Sequence, residues 1–226
     1  MQRGRSYAVL GVAVAVLLLA CADNEAPAGD EADDQAALPM AADGQPAPSC
    51  NMCPATLVPA EEIQAYFDKA LRDNSLDQQV RAVDAGKANV TVAVVHRDSA
   101  DAGAAAEHSL VTEVYYVVSG TGTHQTGPEL IDATARGTTN YAAQWLNGPG
   151  HAAPGIRNPE QQVLKEGDVL IIPAGTGHQF IDIPDHITYV MVRIDPDKVV
   201  PLMDEAMSRA YLETGVRPGE TAPPAQ

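Results

Sequence analysis

Three side chains in two short segments have the types and spacing to hold a metal ion. His108 and Glu113 lie in His108-Ser-Leu-Val-Thr-Glu113-Val-Tyr115-Tyr-Val-Val-Ser-Gly120, and His178 ends Gly167-Asp-Val-Leu-Ile-Ile-Pro173-Ala-Gly175-Thr-Gly-His178. Imidazole nitrogen suits zinc, iron, copper or nickel and carboxylate oxygen suits harder cations. Two His and one Glu can therefore hold a divalent transition metal, Fe(II), Mn(II) or Zn(II), with positions left open. A small organic molecule, oxygen or water can enter those positions. Side chains alternate along a strand, so Tyr115 shares a face with Glu113, and Asp182 with His178. Tyr115 and Asp182 are thus the candidate catalytic groups for moving a proton. Glu107, or His124 from the next strand, could add a fourth donor.

These side chains must be positioned by strands. Asn89 to Arg97 is β-rich, and short units follow over 113–119, 121–125, 168–172, 179–183 and 187–194, separated by Gly120, Gly122, Gly175, Gly177 and Pro184-Asp185. Close strand spacing with turn residues between argues for an antiparallel sandwich or barrel, not alternating βα units. His96 reads as a structural strand residue, His151 and His186 as exposed. Ile63, Tyr66, Phe67, Ala70 and Leu71 recur at helical spacing. A second helix is expected over about 201–214, opened by Pro201 and capped by Gly215. The Gly- and Pro-rich stretch 127–166, with Asn140, Trp145, His151 and Arg157, reads as a long loop, either a lid or rim or a solvated excursion.

The two segments resemble the motifs of the cupin superfamily. In the first motif, four residues separate His108 from Glu113 and six separate Glu113 from Gly120; in the second, Gly167, Pro173, Gly175 and His178 match every spacing. Ala106 stands where the family's first His would be, and Asp182 replaces the closing Asn. The resemblance covers about residues 85–195. It implies an all-β fold, a cupin-type double-stranded β-helix (jelly-roll barrel) with flanking N- and C-terminal α-helices, and a domain spanning 56–226. It implies a metal held by His108, Glu113 and His178, in a family whose common site has three His and one Glu. It also implies a homodimer joined through outer strands. Two functions are in view: a metal-dependent enzyme of dioxygenase, isomerase or lyase type acting on a small organic molecule, or a non-catalytic module that binds or senses a small ligand. A cluster that only packs, without metal, is the third outcome.

The N-terminus points to the bacterial cell envelope. Arg3 and Arg5 precede an apolar, uncharged run from Tyr7 to Leu19, which reads as an export signal over 1–20. Leu18-Leu19-Ala20-Cys21 resembles the lipobox of bacterial lipoproteins, making Cys21 the lipid-bearing residue; Ala22 after it favours the outer membrane on its periplasmic side. Residues 21–55 read as a disordered tether carrying Asp23, Glu25, Asp30, Glu31, Asp33, Asp34 and Asp43 with no Lys or Arg. At its end Cys50-Asn-Met-Cys53 could be a redox pair, half a zinc site or a structural disulfide, and an oxidising compartment favours the disulfide. With 14 Lys and Arg against 30 Asp and Glu, the formal net charge of −16 repels phosphate backbones and disfavours nucleic acid as a partner.

Overall fold

The computed structural model describes residues 39–50 and 52–220. The export signal, Cys21 and most of the acidic tether lie outside the described residues. Residues 39–46 form a small turn of their own, closed by a bridge between Met40 and Pro46.

From Ala47 onward the chain runs through α1 (Ala60–Asp73), β1 (Asp77–Asp84), β2 (Asn89–Asp98), β3 (Ala105–His108) and β4 (Thr112–Gly127). The segment after β4 contains β5 (Leu130–Ile131), β6 (Thr134–Ala135), a single π-helical turn over Ala142–Leu146, β7 (Gly150–Ala153), β8 (Gly155–Ile156) and β9 (Glu160–Lys165). Then come β10 (Val169–Ile172), β11 (Gly177–Asp182), β12 (His186–Asp195) and α2 (Glu205–Thr214).

β4 belongs to two antiparallel sheets at once. Its first half lies between β12 and β10, with β2 and β1 continuing beyond β12. Its second half lies between β9 and β11, and β3, β7 and β6 extend that sheet. The result is a curled all-β body of the double-stranded β-helix kind, with helices at either end of the sequence, as the resemblance implies. The corner falls at Gly120, whose φ of +79° suits glycine and where a Cβ would sit 2.0 Å from the His186 carbonyl oxygen. A bulge opposite Thr188 and Tyr189 accompanies it. It switches the inward parity of the strand: Glu113, Tyr115 and Val117 are buried before the corner, Gly122 and His124 after it. The two strands expected over 113–119 and 121–125 are therefore one bent strand.

Between the sheets pack Ala93, Val95, Tyr115, Val117, Leu164, Ile172, Phe180, Ile183, Ile187, Tyr189 and Met191. A second cluster lies outside, where Tyr66, Phe67 and Tyr211 of the helices cover Val80, Ala82 and Val94. This places Val94 on the face opposite Ala93 and Val95, so β2 is covered on both sides.

The structure corrects several expectations. β1 has no counterpart among the expected strands, because Asp77-Gln-Gln-Val-Arg-Ala-Val-Asp84 buries the polar Gln78, Gln79 and Arg81 among its few apolar residues. The second helix begins at Glu205, not Pro201: Met203 exchanges two backbone hydrogen bonds with Ala82, and the Asp204 carboxylate caps the helix by accepting from the Met207 N–H. Leu71 lies on the exposed side of α1. Residues 127–166 are not a loop but six short elements, three of which, β6, β7 and β9, join the second sheet. The folded body also reaches back into the expected tether, since Ser49 and Cys50 pack against Gly86 in the β1–β2 turn. Cys50 and Cys53 form a disulfide.

Candidate metal centre

His108 closes β3, Glu113 opens β4 and His178 opens β11, so the cluster draws on both sheets. One ligand atom from each, an imidazole nitrogen or a carboxylate oxygen, lies within 4.8 Å of the others. All three side chains are buried. His178 stands directly opposite Ala106 in the β11–β3 pairing, and Ala106 is two residues from His108 on the same face. A methyl group thus occupies the place of a further ligand.

Glu113 is the hub. Its Oε1 accepts from Arg193 Nε at 3.0 Å and lies 3.3 Å from His108 Nε2; its Oε2 accepts from the Tyr115 hydroxyl at 2.8 Å and lies 3.7 Å from His178 Nε2. Arg193 is itself buried and pairs on its other side with Asp77. Burial alone would raise the Glu113 pKa, but His108, Arg193 and His178 together hold it well below the usual carboxylate range. Burial first, and then the Glu113 charge, push the Tyr115 hydroxyl well above its ordinary value, so at neutral pH it keeps the proton that it donates to Glu113. Burial lowers His178 to about 4.

The hydrogen bonds on the far side of each ring fix what it offers the cluster. His178 Nδ1 lies 3.0 Å from the Thr176 carbonyl oxygen, which only accepts, so the proton sits on Nδ1 and Nε2 presents a lone pair. That lone pair faces a carboxylate oxygen, an acceptor, 3.7 Å away. Metal–ligand distances of about 2.1 Å let one ion touch both. Next to them His124 is fully buried, its ring stacked 6.2 Å from that of His178, and neither of its nitrogens has a hydrogen-bond partner. Burial lowers His124 to about 3, so it is neutral. The donor set fits a divalent transition metal, and the unpartnered nitrogens of His124 lie beside that set, not in it.

Of the residues anticipated from sequence, His108, Glu113, His178 and Tyr115 come together and Asp182 does not. A register shift between Phe180 and Asp182 breaks the alternation of β11, so Phe180 and Ile183 turn inward and Asp182 is exposed. Glu107 is also excluded: it neighbours His108 on β3 and so takes the opposite face, where its carboxylate accepts from Ser109 at 3.0 Å and pairs with His151 Nδ1 at 2.5 Å. His151 is half-exposed but engaged by this pair, and His96 accompanies Thr188 on the sheet's outer face. Two residues were missed, Arg193 and Arg136. Arg193 carries a partial signal, since it lies on a predicted strand at inward parity with Met191 and Tyr189. Arg136 carries none, being in a segment read as loop. Its Nη2 donates to His108 Nδ1 at 2.7 Å and to the Glu107 carbonyl at 2.8 Å, and its Nη1 donates to Asn147 Oδ1 at 2.8 Å.

Fold and site together define an all-β barrel of the double-stranded β-helix kind with an interior His–Glu–His cluster. No protein family profile and no curated protein matches the chain. Among solved structures it is similar to a Bacillus halodurans protein at 16% identity, covering 69% of this chain and 92% of that one with a TM-score of 0.38. It is also similar to a Klebsiella pneumoniae protein described by its double-stranded β-helix domain, at 18% identity, 56% and 85% coverage and a TM-score of 0.33. A cupin protein of Bacteroides fragilis matches at 16% identity over 50% of this chain and 72% of its own, with a TM-score of 0.29.

Proposed function

We propose that this chain is an exported, lipid-anchored metalloprotein of the cell envelope and a metal-dependent enzyme acting on a small organic molecule. The observation that carries the metal is the unprotonated His178 Nε2 facing Glu113 Oε2 across 3.7 Å, two acceptors with no hydrogen between them. Glu113 and His178, with His108 as third donor, hold the ion. When bound, it would supply a Lewis acid to polarise a substrate oxygen, which serves isomerase or lyase chemistry, whereas dioxygenation would need the ion to be iron.

The protein's own part is orientation and exclusion. Arg193 and Tyr115 fix the Glu113 carboxylate from two sides, so the ligand does not reorganise on binding. Phe180, Tyr189 and Met191 line the interior nearby and exclude water. Tyr115 keeps its proton on Glu113 Oε2, and it could move a proton to or from a substrate oxygen only by exchanging that bond. A binding or sensing role without turnover is the second reading, supported by the Arg193–Glu113 pair, which already neutralises the one anionic ligand.

The Cys50–Cys53 disulfide supports an oxidising compartment, in keeping with export. Open positions are tested by titrating azide into the Co(II)-loaded chain: a change in the visible absorption is expected, and an unchanged spectrum in the loaded protein would contradict an ion available to substrate.

A further inference from the structure

We infer that Arg136 governs metal loading by holding His108 in the tautomer that cannot coordinate, so that the segment between β4 and β9 sets the affinity of the centre. This rests on the metal reading above and concerns what controls it.

A guanidinium only donates, so the bond from Arg136 Nη2 to His108 Nδ1 at 2.7 Å obliges Nδ1 to accept. A neutral His108 then carries its proton on Nε2, the nitrogen turned toward Glu113 at 3.3 Å. His178 is set the opposite way by the Thr176 carbonyl. The two histidines of the cluster are thus in opposite tautomers, one presenting a lone pair and the other an N–H. For His108 to ligate through Nε2, its proton must move to Nδ1, where it would confront an N–H of Arg136.

The arrangement is built in. The Nη2 group also donates to the Glu107 carbonyl and Nη1 to Asn147, so the guanidinium is anchored at two points besides the ring. Gly150 leaves the space: a Cβ there would lie 2.1 Å from the Glu107 carbonyl oxygen and 2.5 Å from Arg136 Nη2. Arg136 and Asn147 both come from the segment that widens the second sheet, so occupancy of the site by a metal with three protein ligands requires this segment to release its hold on His108. Until then the ion has only Glu113 and His178.

The test is a double-mutant cycle on Zn(II) affinity, measured by competition with a chromophoric chelator, with folding of each variant checked by circular dichroism. Arg136→Met is expected to tighten Zn(II) at least ~10-fold, the scale of outer-shell effects on metal sites. In a His108→Ala background the same substitution is expected to change little, because the effect runs through that ring. A gain that persists without His108 would mean simple removal of a positive charge and would overturn the inference. In parallel, ¹⁵N NMR of the metal-free protein is expected to show His108 protonated on Nε2, moving toward Nδ1 in Arg136→Met and, should that variant misfold, in Asn147→Ala. An Nδ1–H tautomer in the unmodified protein would overturn it as well. If no variant binds Zn(II), the metal reading fails, while the NMR result still decides the role of Arg136.

Discussion

At the scale of single residues, the centre is a chain of charges held out of water: Asp77, Arg193 and Glu113, with the Tyr115 hydroxyl closing the end. Removing one partner from such a buried series leaves an uncompensated charge, which costs ~3–5 kcal/mol. Arg193→Met is therefore expected to destabilise the fold by about that amount in urea denaturation. Tyr115→Phe removes one charge-assisted hydrogen bond and is expected to cost ~1.5–3 kcal/mol. Equal, small effects of the two substitutions would show that Glu113 is not the hub. Glu113 and Tyr115 were legible because they are two apart on one strand. Arg193 pairs with Glu113 across a strand register that no local pattern encodes, and the inward position of an arginine runs against what alternation leads one to expect.

At the scale of elements, the spaced glycines of both motifs mark turns with positive φ, but the two do different work. Gly120 has φ +79° and a backbone carbonyl against its Cα, whereas Gly175 has φ +78° and open space around it. Gly175→Ala is expected to cost only the ~1–2 kcal/mol of a left-handed non-glycine residue. Gly120→Ala adds a collision with the His186 carbonyl and is expected to cost clearly more, read as the difference between the two midpoints in thermal unfolding. Equal costs would contradict the corner drawn here. Strand periodicity found most of the barrel, and it failed where bulges reset parity: at the β4 corner, which joined two expected strands, and in β11, which turned Asp182 outward. The segment after β4 was misjudged for another reason. Its strands are two to six residues long and set among Gly and Pro, too brief to show a period, and they form by pairing with distant partners, β7 on the edge of β3 and β9 on β4.

At the scale of the whole molecule, two buried neutral histidines make stability depend on pH. His124 is lowered to about 3 and His178 to about 4, both by burial, while an unfolded histidine titrates near 6.5. Above pH 6.5 neither state binds the extra proton; as pH falls below that, the unfolded chain takes up protons that the folded chain refuses, so stability declines. The expected slope is about 1.4 kcal/mol per pH unit for each histidine, down to the folded-state values. His124→Phe should flatten the stability profile between about pH 6 and 4, and an unchanged slope would remove His124 from the account. Export and anchoring make a separate prediction: labelled palmitate is expected on the chain made in a bacterial host and absent from Cys21→Ser.

The central claim is that His108, Glu113 and His178 hold one divalent ion. Elemental analysis of the chain purified from the envelope without chelator, beside His178→Ala prepared in the same way, tests it most directly. About one iron, manganese or zinc per chain in the first and almost none in the second is the expected result. Equal metal in both proteins, or none in the first even after incubation with all three ions, would contradict it.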